Sequence, residues 1–291
     1  MFGLRVNSGH GKRGTGMQNA FAGMLKTSHD NRLRTQRCIP VTDAAELNRL
    51  QPLTRMERYA GCVGVDGAGS GWIAVWMAKG MLSHTVYASA RSLIDAHRSA
   101  TVVAVDIPVG LTDSGRRDAD IQARKFVGGR RACSVFSAPV RGILDATSQQ
   151  EASRRHRVID QRGFGAQGFA ILPKIREWDD LLRGDDAACA VVREVHPEVS
   201  FAALNGGLGL VPGKKTAAGS MIRMQLLSVV FGAGKVDRLK ASVPRRLAGG
   251  DDVLDALVAL WSAGRIACGQ AGVLPDPVPH DSAGFPMAIW Y

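Results

Sequence analysis

The sequence predicts an α/β domain with a mixed sheet in the order β-β-β-α-β, flanked by helices and carrying a helical insertion. Two observations predict this class. Short apolar runs joined by tight turns begin near residue 62, and amphipathic helical spacing alternates with them from about residue 90 onwards. The 291-residue chain is 45% hydrophobic and 22% charged, which excludes a wholly disordered, collagen-like or disulfide-stapled chain.

The charge is distributed unevenly along the chain. Residues 1–60 contain ten Lys or Arg and four Asp or Glu, so they carry +6 of the formal net charge of +11. Residues 1–58 lack sustained periodicity, and we expect a disordered basic arm there. An organelle transit peptide is the alternative, because no acid precedes Asp30. Residues 59–291 are predicted to form one domain.

Three strands are predicted at the start of this domain. CVGVD, WIAVWM and MLSHTVY are separated by the turns GAGSG and AKG, which is typical of an antiparallel meander. ARSLIDAHRS then has helical spacing. TVVAVDIP is β-branched, apolar and stopped by Pro108, so it predicts a buried central strand.

The later elements are mainly helical. Residues 114–185 predict a polar helical insertion with a break around SVFSAPVRG. Residues 190–197, AVVREVHP, predict a further strand. TAAGSMIRMQLLSVVF predicts an amphipathic helix, and GGDDVLDALVALWSAGRIAC predicts a closing helix that Asp251 or Asp252 can cap.

Two carboxylates follow predicted strands. Asp66 ends the first strand and Asp106 ends the central one. Ligands of α/β sheets gather at the carboxyl ends of strands, so we expect both side chains at one edge if the two strands are neighbours. Separately, Asp66 is compatible with a simple turn, because Gly67 follows it.

The closing helix carries two further acids. Asp252 and Asp255 lie about 60° apart at helical spacing, on a face that includes Ala256 and Ala259. Small residues allow this helix to approach the sheet edge. Asp252 alone is also compatible with a helix cap, and Asp255 with a solvated position.

Four acids that meet at one edge repel each other unless a cation neutralises them. Mg²⁺ and Mn²⁺ take oxygen ligands, and two such ions can promote phosphodiester hydrolysis. The sequence therefore predicts a site for Mg²⁺ or Mn²⁺ formed by Asp66, Asp106, Asp252 and Asp255.

Several motifs resemble the family called domain of unknown function 429, over about residues 62–268. They are GVDGAGSGW, AVDIPVGL, ARKFVGGRRACSVFSAPVR, ILPKIREWD, EVHPEVSFAALNGG, the following KK, and DDVLDALVALW. Members of this family are described as predicted nucleases with an RNase H-like fold. The resemblance thus implies an RNase H-like mixed sheet, with metal ligands from the first strand, the fourth strand and a late helix.

The EVHPE motif adds Glu194 and Glu198 to the candidate catalytic residues. Each is open to three interpretations: a metal ligand, a base near the ligands, or one end of a structural ion pair. His196 lies between them, and it is compatible with proton transfer or with a hydrogen-bonded position at the end of a strand.

Four basic residues within the family-like motifs are candidates for contact with substrate phosphates. Lys and Arg bind phosphate, and Arg can form two parallel hydrogen bonds with it. The alternative is a solvated helix face with internal ion pairs. The candidates are Arg130, Arg141, Lys174 and Lys215.

The sequence therefore predicts a metal-dependent nuclease that hydrolyses a nucleic-acid phosphodiester by a two-metal carboxylate mechanism. One alternative is an actin-like nucleotide-binding ATPase or kinase, because GVDGAGSGW is similar to a first phosphate loop. The other is a non-catalytic interaction protein on the same fold. The five widely spaced cysteines favour reduced thiols, and no apolar run reaches the ~18 residues of a membrane span, so we expect a cytoplasmic protein without membrane contact.

Overall fold

A mixed five-stranded sheet lies at the centre of the fold. The structure is a computed structural model that describes residues 57–69 and 71–291. The predicted basic arm lies outside the described residues except for its last two positions, which begin a short 3₁₀ helix, Glu57–Tyr59. All described residues belong to the compact unit Pro52–Tyr291.

The strand order β3-β2-β1-β4-β5 confirms the predicted β-β-β-α-β arrangement. β1, β2 and β3 form an antiparallel meander, whereas β4 lies parallel to β1, and β5 parallel to β4. The strands are β1 Cys62–Ala68, β2 Gly71–Ala78, β3 Met81–Tyr87, β4 Val102–Val105 and β5 Val192–Glu194. A two-stranded pair near the C-terminal end consists of β6 Val273–Leu274 and β7 Ile289–Trp290.

Helices cover both faces of the sheet. They are α1 Ala90–Ala96, α2 Asp118–Val127, α3 Gln149–Asp160, α4 Ala166–Arg183, α5 Asp186–Val191, α6 Pro197–Leu204, α7 Ala217–Phe231, α8 Ala233–Ser242 and α9 Gly250–Ala267. The predicted helical insertion comprises α2 to α4, with short 3₁₀ turns and extended chain between α2 and α3. Within the described part of the chain, no helix is long and apolar enough to span a membrane.

The strand predicted over residues 190–197 is shorter than expected. Its first two residues belong to helix α5, because the Asp185 side chain accepts a hydrogen bond from Ala188 N at 3.0 Å and caps that helix. At the other end, His196 caps α6 and Pro197 is its first residue. Only Val192–Glu194 remains as β5.

Side chains of β1 alternate between two apolar cores on opposite faces of the sheet. Val63 and Val65 face the core that contains α1 and α4, whereas Cys62 and Ala68 face the core that contains α7, α8 and α9. Asp66 shares the second face by this alternation. The side chain of Asp66 is therefore directed to the side on which α9 packs.

A glycine allows α9 to lie against β1. A Cβ atom added at Gly64 would lie 2.1 Å from Leu260 N and 2.2 Å from Ala256 O, so no side chain fits there. Ala256 and Ala259 are fully buried, which agrees with the predicted approach of this helix through small residues. Backbone-to-backbone contact thus brings the N-terminal half of α9 to the sheet edge.

Candidate functional site

The register of β1 and β4 places Asp66 and Asp106 side by side. Val65 pairs with Val105, so the next residues on the two parallel strands are the two aspartates. Asp106 N donates a hydrogen bond to Val65 O at 3.0 Å, and the two carboxyl groups interact electrostatically. Asp66 lies inside β1 and does not end it, because the hairpin pairing with β2 continues to Ala68.

Asp255 on α9 belongs to the same cluster. Its side chain is buried, and its charge acts on Asp66. The ammonium of Lys214 lies 2.6 Å from Asp255 Oδ2 and 4.0 Å from Asp251 Oδ2. Lys214 also interacts electrostatically with Asp66 and Asp106. Lys214 therefore brings a positive charge to all three carboxyl groups.

Burial and mutual repulsion raise the proton affinity of this cluster. Burial raises the pKa of Asp66 well above its ordinary value, and the charges of Asp106 and Asp255 raise that pKa further. Burial likewise raises the pKa of Asp106, although His196 and Lys214 oppose this. The pKa of Asp255 is raised to about 7, again chiefly by burial and against the effect of Lys214. These groups are costly to ionise together.

Asp252 lies beside the cluster and caps α9. Its Oδ2 accepts a hydrogen bond from Gly249 N at 2.8 Å, as the cap interpretation predicts. Its charge still acts on Asp66 and on Lys174. Of the two acids predicted on this helix, Asp255 contacts the cluster and Asp252 orders the first turn.

Glu198 is anchored between two arginines. Its carboxylate accepts hydrogen bonds from Arg223 Nη2 at 2.8 and 3.0 Å and from Arg131 Nη2 at 2.5 Å. Both Glu198 and Arg223 are buried. Of the three interpretations of Glu198, this geometry matches the structural ion pair, and it fixes Arg131 beside the cluster.

Glu194 is buried at the end of β5, in another network. It accepts hydrogen bonds from Val109 N at 2.7 Å and from Arg117, which in turn binds Asp120. Burial raises the pKa of Glu194 to about 7, whereas Arg117 lowers it. This network holds the chain segment that follows Asp106.

His196 caps α6 and borders the cluster. Its Nδ1 accepts a hydrogen bond from Glu198 N at 3.2 Å, which assigns the ring proton of the neutral tautomer to Nε2. The ring acts electrostatically on Asp106. The hydrogen-bonded position predicted for His196 is therefore observed, whereas its role in proton transfer stays a prediction.

The four predicted phosphate contacts lie in different surroundings. Lys174 donates a hydrogen bond to Gly71 O, lies 4.3 Å from the centre of the Trp72 ring, and interacts electrostatically with Asp66. Burial lowers the pKa of Lys174. Lys215 is exposed and lies next to the cluster in the loop before α7.

The other two predicted phosphate contacts lie in other surroundings. Arg141 is paired with Asp179 and Asp281, and these ion pairs tie its loop to α4 and to the C-terminal segment. Arg130 is exposed and borders a separate depression beside Leu208 and Val211.

A cavity of about 570 Å³ opens beside the carboxylates. Asp106, Glu198 and Asp255 contribute its acidic part, and Arg131, Lys214 and Lys215 its basic part. Its remaining wall comes from the 3₁₀ segment after α2 and from α4, with Phe136, Gln167 and Ile171 among the lining residues. The helical insertion therefore forms one side of the site.

Two site residues are not among the four predicted phosphate contacts. Arg131 and Lys214 belong to the basic residues of the family-like motifs, but the sequence does not distinguish them from their neighbours Arg130 and Lys215. Adjacent identical residues carry no periodic signal that separates them. The ion pairs with Asp255 and Glu198 distinguish them in the folded chain.

The cluster also bears on the predicted metal ion. Within residues 57–69 and 71–291, no three His, Cys, Asp or Glu side chains are arranged to hold a metal as they stand. The donors nevertheless fit Mg²⁺ or Mn²⁺ in chemistry, because Asp66, Asp106 and Asp255 offer only carboxylate oxygens and their mutual repulsion calls for a cation. At present the ammonium of Lys214 supplies that charge.

The fold and the site define an α/β protein with a carboxylate cluster at the edge of a mixed sheet. The model of the family described as "Protein of unknown function (DUF429)" matches residues 64–280, which is more than half of the chain. The chain therefore belongs to this family, as the sequence motifs predicted. No curated protein matches the chain significantly, and no solved structure does.

Proposed function

We propose that this protein is a metal-dependent nuclease of the RNase H-like type that hydrolyses a phosphodiester bond of nucleic acid. The observation that carries the proposal is the meeting of Asp66, Asp106 and Asp255, from β1, the end of β4 and α9, beside a cavity with a basic wall. A nuclease needs carboxylates to hold a cation and basic groups to hold phosphate.

The cation would be Mg²⁺ or Mn²⁺, held by Asp66, Asp106 and Asp255. Such an ion, when bound, makes a water more acidic and stabilises negative charge on phosphate oxygens. The pair Lys214–Asp255 has to open or shift for Asp255 to offer its oxygens. Asp252 remains available beside Asp66, but its bond to Gly249 N already gives it a role.

The basic residues of the cavity would orient the substrate. The hydrogen bond to Glu198 fixes Arg131, so its guanidinium is preorganised to bind a phosphate. Lys215 is exposed, so its flexible side chain would adjust to the position of the nucleic-acid backbone. The ring of His196 carries its proton on Nε2 when neutral, so this N–H would donate a hydrogen bond to a phosphate or departing oxygen. The buried carboxylates would remain dependent on a cation for ionisation at neutral pH.

The direct test is cleavage of labelled single-stranded DNA, RNA, duplex and hybrid substrates with Mg²⁺ or Mn²⁺. The wild-type chain should cleave at least one substrate, and the double variant Asp66→Asn, Asp106→Asn should lose cleavage by at least ~100-fold while staying folded. The control is Asp145→Asn, because the side chain of Asp145 is 74% exposed in a surface ion pair. Folded wild-type protein that cleaves no substrate with either ion would refute the proposal.

The two other functions predict different results in the same assay. An ATPase or kinase relative would release phosphate from ATP and leave every nucleic acid intact. A non-catalytic interaction protein would do neither and would show no heat of Mn²⁺ binding at millimolar concentration. Running ATP and a calorimetric Mn²⁺ titration beside the cleavage panel therefore separates the three.

A further inference from the structure

The wall of the cavity beside the carboxylates includes apolar side chains that the proposed hydrolysis does not use. Phe136 keeps 37% of its surface exposed, although its neighbour Val135 is buried and anchors the segment. Ile171 of α4 contributes to the same wall. A large aromatic side chain exposed in a concave site is typical of a ligand contact.

Polar and apolar groups follow one another along α4 toward the carboxylates. Gln167, Ile171 and Lys174 are separated by four and three positions, so they share one face of that helix. Gln167 and Ile171 line the cavity, whereas Lys174 reaches the β1–β2 hairpin and the charge of Asp66. The face thus offers an amide, an apolar contact and a cation in sequence.

The size and charge of the cavity indicate its ligand. Its volume of about 570 Å³ lies within the range of ~300–1,000 Å³ typical of small-molecule sites. Arg131 and Lys215 provide positive charge for a phosphate in the wall of this cavity, and Phe136 offers a flat apolar surface in the same wall. A nucleotide has the same division into a charged phosphate and a flat base.

We propose that this cavity receives one unpaired nucleobase, which stacks on Phe136, while Lys215 and Arg131 bind the adjoining phosphate. The inference rests on the proposed function, because the phosphate has to lie beside Asp66, Asp106 and Asp255. A base held in a duplex is stacked and paired, so it does not enter a cavity of this kind without being extruded. The substrate class is therefore single-stranded nucleic acid or a strand with an unpaired nucleotide.

The small number of aromatic side chains limits this subsite to one base. Aromatic residues make up 6% of the sequence, and Phe136 is the only Phe, Tyr or Trp that the described lining of the cavity includes. An extended single-strand platform needs successive aromatic residues. Phe136 instead provides a single stacking position in this cavity.

The test measures binding to the full chain carrying Asp66→Asn, so that substrate remains intact. Fluorescence anisotropy compares a labelled single strand of about ten nucleotides with the same sequence as a duplex, for DNA and for RNA. Phe136→Ala should weaken single-strand binding by about 5- to 100-fold, the effect of one base–aromatic stack, and should leave duplex binding unchanged. Phe136→Trp should keep the affinity within about threefold, because it preserves the stacking surface.

The matched control is Leu208→Ala, since Leu208 is 70% exposed beside the neighbouring depression. A mononucleotide that competes only when Phe136 is present would also support the subsite and would identify a free nucleotide as a ligand. Equal single-strand affinity for Phe136→Ala and its parent would overturn the inference, and so would duplex binding as tight as single-strand binding. Failure to bind any of these probes would overturn it as well.

Cleavage results separate this inference from the proposed function. Phe136-dependent binding without cleavage by the wild-type chain would leave the subsite in place and refute the hydrolysis. Metal-dependent cleavage of duplex substrate that is insensitive to Phe136→Ala would support the hydrolysis and refute the subsite.

Discussion

The ammonium of Lys214 lies 2.6 Å from the Oδ2 atom of Asp255, a carboxylate that is almost fully buried. The two residues are 41 positions apart, one in the loop before α7 and the other on α9. The pair neutralises one of the three acids that meet at the sheet edge. Lys214 consequently occupies the electrostatic role that a divalent cation would take.

Lys214→Met tests whether this lysine and a cation serve the same carboxylates. The variant leaves Asp255 buried without its partner, so its unfolding free energy without metal should fall by about 1–3 kcal/mol, less than for a fully buried pair because the Lys214 side chain is 36% exposed. Adding Mn²⁺ should raise the Tm of Lys214→Met more than that of the wild type. Thermal unfolding with and without millimolar Mn²⁺ measures both effects.

Lys215→Met is the control for that experiment, because Lys215 is adjacent in sequence but exposed at the cavity wall. It should respond to Mn²⁺ as the wild type does. An equal Mn²⁺ response of Lys214→Met and the wild type would mean that Lys214 does not compete with a cation.

The carboxylate cluster predicts that the protein loses stability as the pH rises from 5 to 8. The pKa of Asp66 is raised in the folded state, and that of Asp255 is raised from 3.8 to about 7. The folded state therefore retains protons that the unfolded state releases, and stability falls through this window. Acids with lowered pKa values, such as Asp185 at about 2, are ionised throughout the window and do not contribute there.

Asp66→Asn should raise the free energy of unfolding at pH 8 by about 1–3 kcal/mol and flatten its pH dependence, because one buried charge and its repulsions are removed. Urea unfolding at pH 5 and pH 8 measures this. The control is Asp145→Asn at the surface, which should change stability by no more than ~0.5 kcal/mol at either pH. A lower stability of Asp66→Asn at pH 8 would contradict the repulsion argument.

Two substitutions separate the two roles of His196, which are helix capping and participation in cleavage. His196→Asn keeps a side chain that caps helices well, so stability should change by less than ~0.5 kcal/mol, whereas His196→Ala should cost about 1 kcal/mol through the lost bond to Glu198 N. Both should lower cleavage by at least ~10-fold, because neither places an N–H donor where Nε2 of the imidazole lies. Tm and single-turnover cleavage measure the two effects, and full activity of His196→Asn would restrict His196 to capping.

Gly64 predicts a severe and specific loss of stability. Gly64→Ala would place Cβ 2.1 Å from Leu260 N, so α9 would have to move away from β1 and Asp255 away from Asp66. We expect a cost of at least ~3 kcal/mol, the size of a large core perturbation. Chemical denaturation of the purified variant measures it.

The comparison for this prediction is Gly234→Ala on α8, where the nearest atom to an added Cβ is the end of the flexible Arg238 side chain at 3.6 Å. That substitution should stabilise the helix by about 0.5–1 kcal/mol. A mild effect of Gly64→Ala would show that α9 has room to shift along the sheet.

Only those site residues that lie in a local sequence pattern could be predicted from the sequence. Asp66 and Asp106 follow apolar β-branched runs, and strand alternation with parallel pairing is enough to bring such residues together. The position of Asp255 could be predicted because this residue lies on one face of a strongly helical segment. By contrast, Arg141 also lies in a family-like motif, yet it pairs with Asp179 and Asp281, because electrostatic partners are chosen across the fold and not along the chain.

The sequence by itself determined the α/β class, the order of the first five elements, the family and the acids Asp66 and Asp106 that follow apolar runs, because each depends on periodicity or on contiguous motifs. Only the tertiary structure decided which neighbour of each basic pair faces the site, so that Arg131 and Lys214 meet the acids and Arg130 does not. It likewise brought Phe136 and Ile171 to one cavity. Such contacts join segments that no local pattern relates, because packing and ion pairing across the fold bring them together.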